Sequence, residues 1–139
     1  MEAEKTEEEK FEDFEAYEHK KVCLVEDDDD IREIYSTKLK IGGYEVLEAV
    51  NGEEGLKVIR EKKPDIILLD LMMPVLDGYG VLKELAKDKE ISEIPVIVLT
   101  NLDFENAEDK VGKYETRFYV VKSMTTPEKL YRMVREVIH

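Results

Sequence analysis

The sequence predicts an α/β fold: a doubly wound parallel sheet of five strands, with five helices laid over its two faces. Three observations carry this prediction. Short apolar runs alternate with segments whose apolar residues recur at helical spacing, and the alternation repeats five times. The central run, Ile66 to Leu69, is apolar at every position and lies between Pro64-Asp65 and Pro74, as befits a strand covered on both faces. Four of the five runs end in groups able to do chemistry, at the strand ends where open α/β sheets place their ligands. Right-handed crossovers between parallel strands then put helices on both faces.

Taken in order, residues 1–20 form an acidic extension and residues 21–139 the folded domain. The extension contains no Gly or Pro. Phe11, Phe14 and Tyr17 are spaced three apart, which permits one weak apolar helical stripe; a solvated tail is the competing reading. If the segment is ordered, Phe11 and Phe14 are its anchors, because so short a helix needs packing to persist. Val22-Cys23-Leu24-Val25 is the first strand and runs into Glu26-Asp27-Asp28-Asp29-Asp30. Ile31, Ile34, Tyr35 and Leu39 give the first helix its apolar face, and Gly42-Gly43 stops it. Asp28, Asp29 and Asp30 suit the start of that helix as cap and charge.

Tyr44 to Val50 is the second strand, with turn chemistry at Asn51-Gly52. Glu53 to Lys62 is a helix packed through Leu56 and Ile59. Its Gly55 costs up to ~1 kcal/mol relative to Ala, so close packing is expected there. The central strand ends at Asp70, and Asp77-Gly78 follows as turn chemistry before a helix with Val81, Leu82 and Leu85 inward. Pro95 to Leu99 is the fourth strand, closed by Thr100, and a helix follows over roughly Glu105 to Tyr114. Arg117 to Val121 is the fifth strand, closed by Lys122. Thr125-Thr126-Pro127-Glu128 opens the last helix with a polar cap and a first-turn proline. Its stripe of Leu130, Met133, Val134, Val137 and Ile138 is the cleanest in the chain.

The bulk properties narrow the function classes. A length of 139 residues suits one domain with a single sizeable core. The net charge of −13 argues against direct binding of nucleic acid, which needs a positive patch. The lone Cys23 forbids an intramolecular disulfide and reads as a small core hydrophobe. No run has the apolar length of a membrane span or the layout of a signal peptide, so a cytoplasmic location with no membrane partner is expected. His19 and His139 stand alone, without metal-ligand spacing.

Chemistry concentrates where the strands end. Glu26-Asp27, Asp70, Thr100 and Lys122 close strands one, three, four and five, and in a parallel sheet these ends share one edge. An Asp ending the central strand would serve equally well as a turn cap if it stood alone. Crowded carboxylates raise one another's pKa unless a cation sits among them. Hard oxygen donors with room for water suit Mg²⁺. A lysine and a threonine hydroxyl beside them complete the parts for phosphoryl transfer to a carboxylate nucleophile.

Over residues 21–139 the chain resembles the receiver domains of two-component response regulators. The resemblance rests on Val25-Glu26-Asp27-Asp28, Leu69-Asp70-Leu71-Met72-Met73-Pro74 with Asp77-Gly78, Val98-Leu99-Thr100, and Tyr119-Val120-Val121-Lys122. It implies a flavodoxin-like strand order of 2-1-3-4-5, with Asp70 as phosphoacceptor. It further implies Asp27 as a direct Mg²⁺ ligand, Glu26 acting on the metal through water, and the backbone carbonyl of Met72 as a further ligand. Thr100 would bond the phosphoryl group, and Lys122 would pair with Asp70 and later with its phosphate. Tyr119 occupies the aromatic switch position that follows Thr100, coupling the site to the face of the fourth helix, fifth strand and fifth helix.

The implied donor is a phosphohistidine on a sensor histidine kinase or a His-phosphotransfer protein, and the implied output is a downstream protein target. The chain departs from the family in three places. Ser123 follows Lys122 where a cis proline is usual, Glu115-Thr116 replaces a Gly-Ala pair, and Asn101 follows Thr100 in place of a small residue. The Lys122–Ser123 peptide is expected to be trans, since a non-proline cis bond costs ~2.5–4 kcal/mol.

Three functions compete. The first is a phosphoacceptor receiver, either acting alone through protein contacts or forming part of a longer regulator. It would catalyse no more than its own phosphorylation and a slow autodephosphorylation, because the resemblance implies that Met72 and Leu102 would flank the approach of water, and neither side chain can hold one. The second is a pseudo-receiver that binds partners without phosphorylation, which needs none of the acid–Asp–Thr–Lys set. The third is a hydrolase of the haloacid dehalogenase type, whose second Asp is replaced here by Met72. The residues favour the first.

Overall fold

The computed structural model describes residues 4–9, 20–101 and 118–139. Its centre is a sheet of five parallel strands: β1 (Lys21–Val25), β2 (Glu45–Ala49), β3 (Ile66–Asp70), β4 (Val96–Thr100) and β5 (Phe118–Val121). They lie in the order β2-β1-β3-β4-β5, as the resemblance implied. Four α-helices are described from end to end: α1 (Asp29–Ile41), α2 (Gly52–Lys62), α3 (Gly78–Lys87) and α4 (Pro127–Ile138); residues 7–9 are helical as well. The helix predicted over Glu105 to Tyr114 lies outside the described residues, as do Phe11, Phe14 and Tyr17.

The strands alternate their side chains between two cores, the period-2 consequence of an extended backbone. Cys23, Val25, Ile67, Leu69, Val96 and Val98 face one way, against Leu56 and Ile59 of α2 and Val81, Leu82 and Leu85 of α3. Val22, Leu24, Ile66, Leu68, Ile97, Leu99 and Val120 face the other, against Tyr35 and Leu39 of α1 and Leu130 and Val134 of α4. Every residue of β3 is buried, which accounts for its unbroken apolar sequence.

Each helix starts on a polar cap. Asp28 accepts from the amides of Asp30 and Ile31 at 3.0 Å each. Asn51 accepts from Glu54 at 2.8 Å, Asp77 from Gly80 at 2.9 Å and Thr126 from Lys129 at 3.1 Å. Asn51 therefore caps α2 directly, and the turn expected at Asn51-Gly52 is the helix start itself. Gly43, with φ 100°, ends the chain's turn out of α1 in a conformation that other residues resist. A Cβ on Gly55 would lie 2.9 Å from both Cγ atoms of Val25, so α2 packs on β1 as closely as the sequence suggested.

Two expectations need correction. Ile34 is 54% exposed, although it shares the helical pattern of α1. The core stripe runs through Ile31, Tyr35 and Leu39 at four-residue steps, and Ile34 falls to one side of it. The second strand is also shorter than Tyr44 to Val50: Tyr44 is buried but precedes the ladder, whose pairs run from Lys21–Glu45 to Val25–Ala49. The described residues contain no cis peptide, so Lys122–Ser123 is trans as expected, and it opens a 3₁₀ turn over Lys122–Met124. In the acidic extension, the Thr6 and Glu9 side chains each accept the other's amide at 3.1 Å, a reciprocal cap that went unread in Thr6-Glu7-Glu8-Glu9.

Candidate functional site

The parallel register brings the strand ends to one edge, with Val25 beside Leu69, Asp70 beside Leu99 and Thr100 beside Val121. The polar residues that follow or close these strands converge there. Asp70 ends β3 and is buried. Its Oδ1 accepts from the Met72 amide at 3.1 Å, and its Oδ2 lies 3.1 Å from Lys122 Nζ. Thr100 is buried at the end of β4, one strand over.

Glu26 is fully buried immediately after β1. Its amide donates to the Ala49 carbonyl at 3.0 Å, which ties it to the end of β2. Its carbonyl accepts from Arg32 at 2.9 Å, and its Oε2 from the Asp28 amide at 3.4 Å. Its Oε1 forms an ion pair with Lys122. Lys122 thus bridges Glu26 and Asp70, a contact between the ends of β1, β3 and β5. Asp27 is exposed, yet ligand atoms of Glu26, Asp27 and Asp70 all lie within 4.8 Å of one another.

The electrostatics follow from that crowding. Burial, the shared hydrogen bond with Asp70 and the nearby Asp70 charge push the Glu26 carboxyl up to about 8, against the opposing pull of Lys122. Burial works against the Lys122 charge, but pairing with Glu26 and Asp70 outweighs it and the Lys122 pKa is raised. One lysine serves two carboxylates, so the cluster remains short of positive charge. That shortage, with hard oxygen donors and one solvent-facing carboxylate, fits Mg²⁺, which keeps some of its waters.

The loop after Asp70 is built on close approaches. The Leu71 amide donates to Leu99 at 3.2 Å, and the Gly78 amide to Leu71 at 3.0 Å. A Cβ on Gly78 would lie 2.4 Å from the Asp70 carbonyl oxygen. Asp77-Gly78 is therefore more than turn chemistry: Asp77 caps α3, and Gly78 lets the helix begin directly behind the acidic site. Arg32 went unread in the sequence. It joins Glu26 to Asp29, at 2.5 Å, and its i,i+3 spacing from Asp29 was the available signal. Tyr119 pairs with Val98 in the β4–β5 ladder, and its side chain lies outside what the structure describes.

Residues 22–135 match the response regulator receiver domain family. The chain belongs to that family. Receiver domains are signalling modules that interact with histidine kinases and bind Mg²⁺ at an acidic pocket, and this chain has a cluster of acidic residues in Glu26, Asp27 and Asp70. The chain is 43% identical over 120 residues to the probable transcriptional regulator ycf27 of Pyropia yezoensis, covering 85% of this chain and 47% of that protein. It is 33% identical over 115 residues to the DNA-binding dual master transcriptional regulator RpaA of Synechocystis sp., covering 81% and 47%. The receiver thus spans about half the length of these curated relatives. Among solved structures, the chemotaxis protein CheY4 of Vibrio cholerae superposes with a TM-score of 0.78 at 28% identity, covering 85% of this chain and 98% of that one. No helix among the described residues is long and apolar enough to cross a membrane.

Proposed function

We propose that this receiver accepts a phosphoryl group on Asp70 from a phosphohistidine of a sensor kinase or a His-phosphotransfer protein. A carboxylate oxygen of Asp70 attacks phosphorus, the phosphorus–nitrogen bond breaks, and the histidine nitrogen leaves with its electron pair. Glu26, Asp27, Asp70 and the Met72 carbonyl would hold Mg²⁺, which when bound offsets the negative charge of carboxylates and phosphoryl oxygens. Lys122 then transfers its pairing from the Asp70 carboxylate to the new phosphate, and the Thr100 hydroxyl donates to a phosphoryl oxygen. The Thr100 movement draws Tyr119 inward and changes the face that meets a downstream protein.

The observation that supports this reading best is the placement of Lys122 Nζ, 3.1 Å from Asp70 and paired with buried Glu26. A scaffold that never bound phosphate would hold three carboxylates and a lysine together at a cost, with no compensating function. The names of the longer relatives support one extension: within a longer regulator, this phosphorylation would control a DNA-binding segment. Incubation with acetyl phosphate and Mg²⁺ followed by intact mass tests the reading. A phosphoryl adduct on the wild type and none on Asp70→Asn is expected. No adduct on the wild type would leave the pseudo-receiver reading in its place.

The lifetime of the phosphate follows from the same site. Hydrolysis needs a water in line with the breaking bond. Met72, 58% exposed beside Asp70, neither accepts a proton nor holds a water; Leu102, its expected companion, lies outside the described residues. Autodephosphorylation should therefore be slow, and Met72→Glu together with Leu102→Asn should speed it. An unchanged or longer lifetime in the double variant would count against this arrangement.

A further inference from the structure

Glu26 is tied to β2 through both of its backbone groups. Its amide donates to the Ala49 carbonyl at 3.0 Å. Its carbonyl accepts from Arg32 Nη1 at 2.9 Å, and Arg32 Nε lies 3.7 Å from Glu48, the residue before Ala49. Arg32 Nη2 donates to Asp29 at 2.5 Å. The guanidinium therefore serves three oxygens at once, one after β1, one on α1 and one on β2. Its planar fork of donors suits that task, and the single ammonium of a lysine does not.

This clasp bears on the next residue. The Glu26 carbonyl belongs to the planar peptide from which Asp27 hangs, so the donor that fixes the carbonyl also fixes where the Asp27 side chain starts. Asp27 is exposed, and among the described residues no hydrogen bond or ion pair holds its carboxylate. Its place within 4.8 Å of Glu26 and Asp70 therefore depends on the backbone. Two effects of Arg32 on a bound cation have opposite signs: its charge repels the cation, and its clasp keeps a donor oxygen in place. The charge is already offset by Asp29 and Glu48. A buried carbonyl stripped of its donor, by contrast, is driven to turn toward water.

We propose that Arg32 is a positioning residue for the divalent-cation site: by clasping the Glu26 carbonyl it presets Asp27 for the strict geometry that Mg²⁺ demands. The inference rests on the reading of Glu26, Asp27 and Asp70 as metal ligands. Mg²⁺ requires near-ideal octahedral geometry and Ca²⁺ tolerates irregular sites, so a loosened Asp27 penalises Mg²⁺ more. NMR titration of the full chain with each ion alone compares the wild type with Arg32→Gln, Arg32→Lys and Asp27→Ala. Arg32→Gln should bind Mg²⁺ about tenfold more weakly, with a smaller loss for Ca²⁺. Arg32→Lys, which keeps the charge and one donor, should recover part of the Mg²⁺ affinity. Without metal, amide exchange in Arg32→Gln should quicken about tenfold at Glu26 and stay unchanged at Leu24, deeper in β1. Mg²⁺ binding by Arg32→Gln as tight as the wild type, or tighter, overturns the proposal, since charge alone would then govern. Equal losses for the two ions, or faster exchange at Leu24 as well, would mean general loosening and overturn it too. If Asp27→Ala binds Mg²⁺ like the wild type while Glu26 exchange quickens in Arg32→Gln, the metal reading fails and the proposal with it, while the clasp itself stands.

Discussion

Glu26 is the residue whose environment most limits the metal-free protein. Its folded-state pKa of about 8 lies above the ordinary carboxylate value of 4.5. A group raised in this way contributes stability that is fully present below about pH 4.5 and lost as pH rises through about 8. The Glu26 contribution therefore falls across that interval, and thermal melting without Mg²⁺ should show a declining trend there that Glu26→Gln flattens. An equal slope in the variant would contradict the assignment. Cys23 is shifted in the same direction and by the same cause: burial pushes its thiol up to about 12. A thiol so buried and so little ionised should resist alkylation at pH 8 in the native state and react only after unfolding. Rapid native-state labelling by a thiol reagent would show that β1 opens locally. At this scale the sequence was legible for residue types and, through the resemblance, for the Lys122–Asp70 pair, but not for every pairing. Asp70, Asp27, Thr100 and Lys122 could be placed at strand ends; the Lys122–Glu26 pair joins residues far apart in sequence and exists only through the sheet order.

At the scale of the element, two effects compete at Gly55 and their magnitudes decide the outcome. Alanine would improve α2 by up to ~1 kcal/mol through helix propensity. Its Cβ would also meet both Val25 Cγ atoms at 2.9 Å, and overpacking of this kind costs ~1–3 kcal/mol. Gly55→Ala should therefore lower stability by about 1 kcal/mol in denaturant titration, and a stabilised variant would mean that β1 yields easily. Helix existence was legible because the apolar period of 3.6 is clean, as along α4, and strand existence because short unbroken apolar runs end in polar or turn residues. Helix rotation was less so: Ile34 fits the period of α1 but falls beside the stripe that Tyr35 and Leu39 define. Caps at Asp28 and Thr126 were readable from local chemistry, whereas the close approach of Gly78 to Asp70 depends on how α3 docks.

For the whole molecule, one arrangement unites fold and chemistry. Parallel strands of similar length place their carboxyl ends along one edge, and two cores pack against the two faces of that sheet. The expected strand order and the convergence of Glu26, Asp27, Asp70 and Lys122 both follow from it. The central claim is that the carboxylate at the end of the middle strand, and no other in this acidic chain, takes the phosphoryl group. Borohydride trapping tests it most directly: an acyl phosphate is reduced to the alcohol, converting the modified aspartate to homoserine. After treatment with acetyl phosphate and Mg²⁺, then borohydride, peptide mass spectrometry should find homoserine at position 70 and aspartate at position 27. Homoserine at position 27, or no reduction anywhere, would contradict the account.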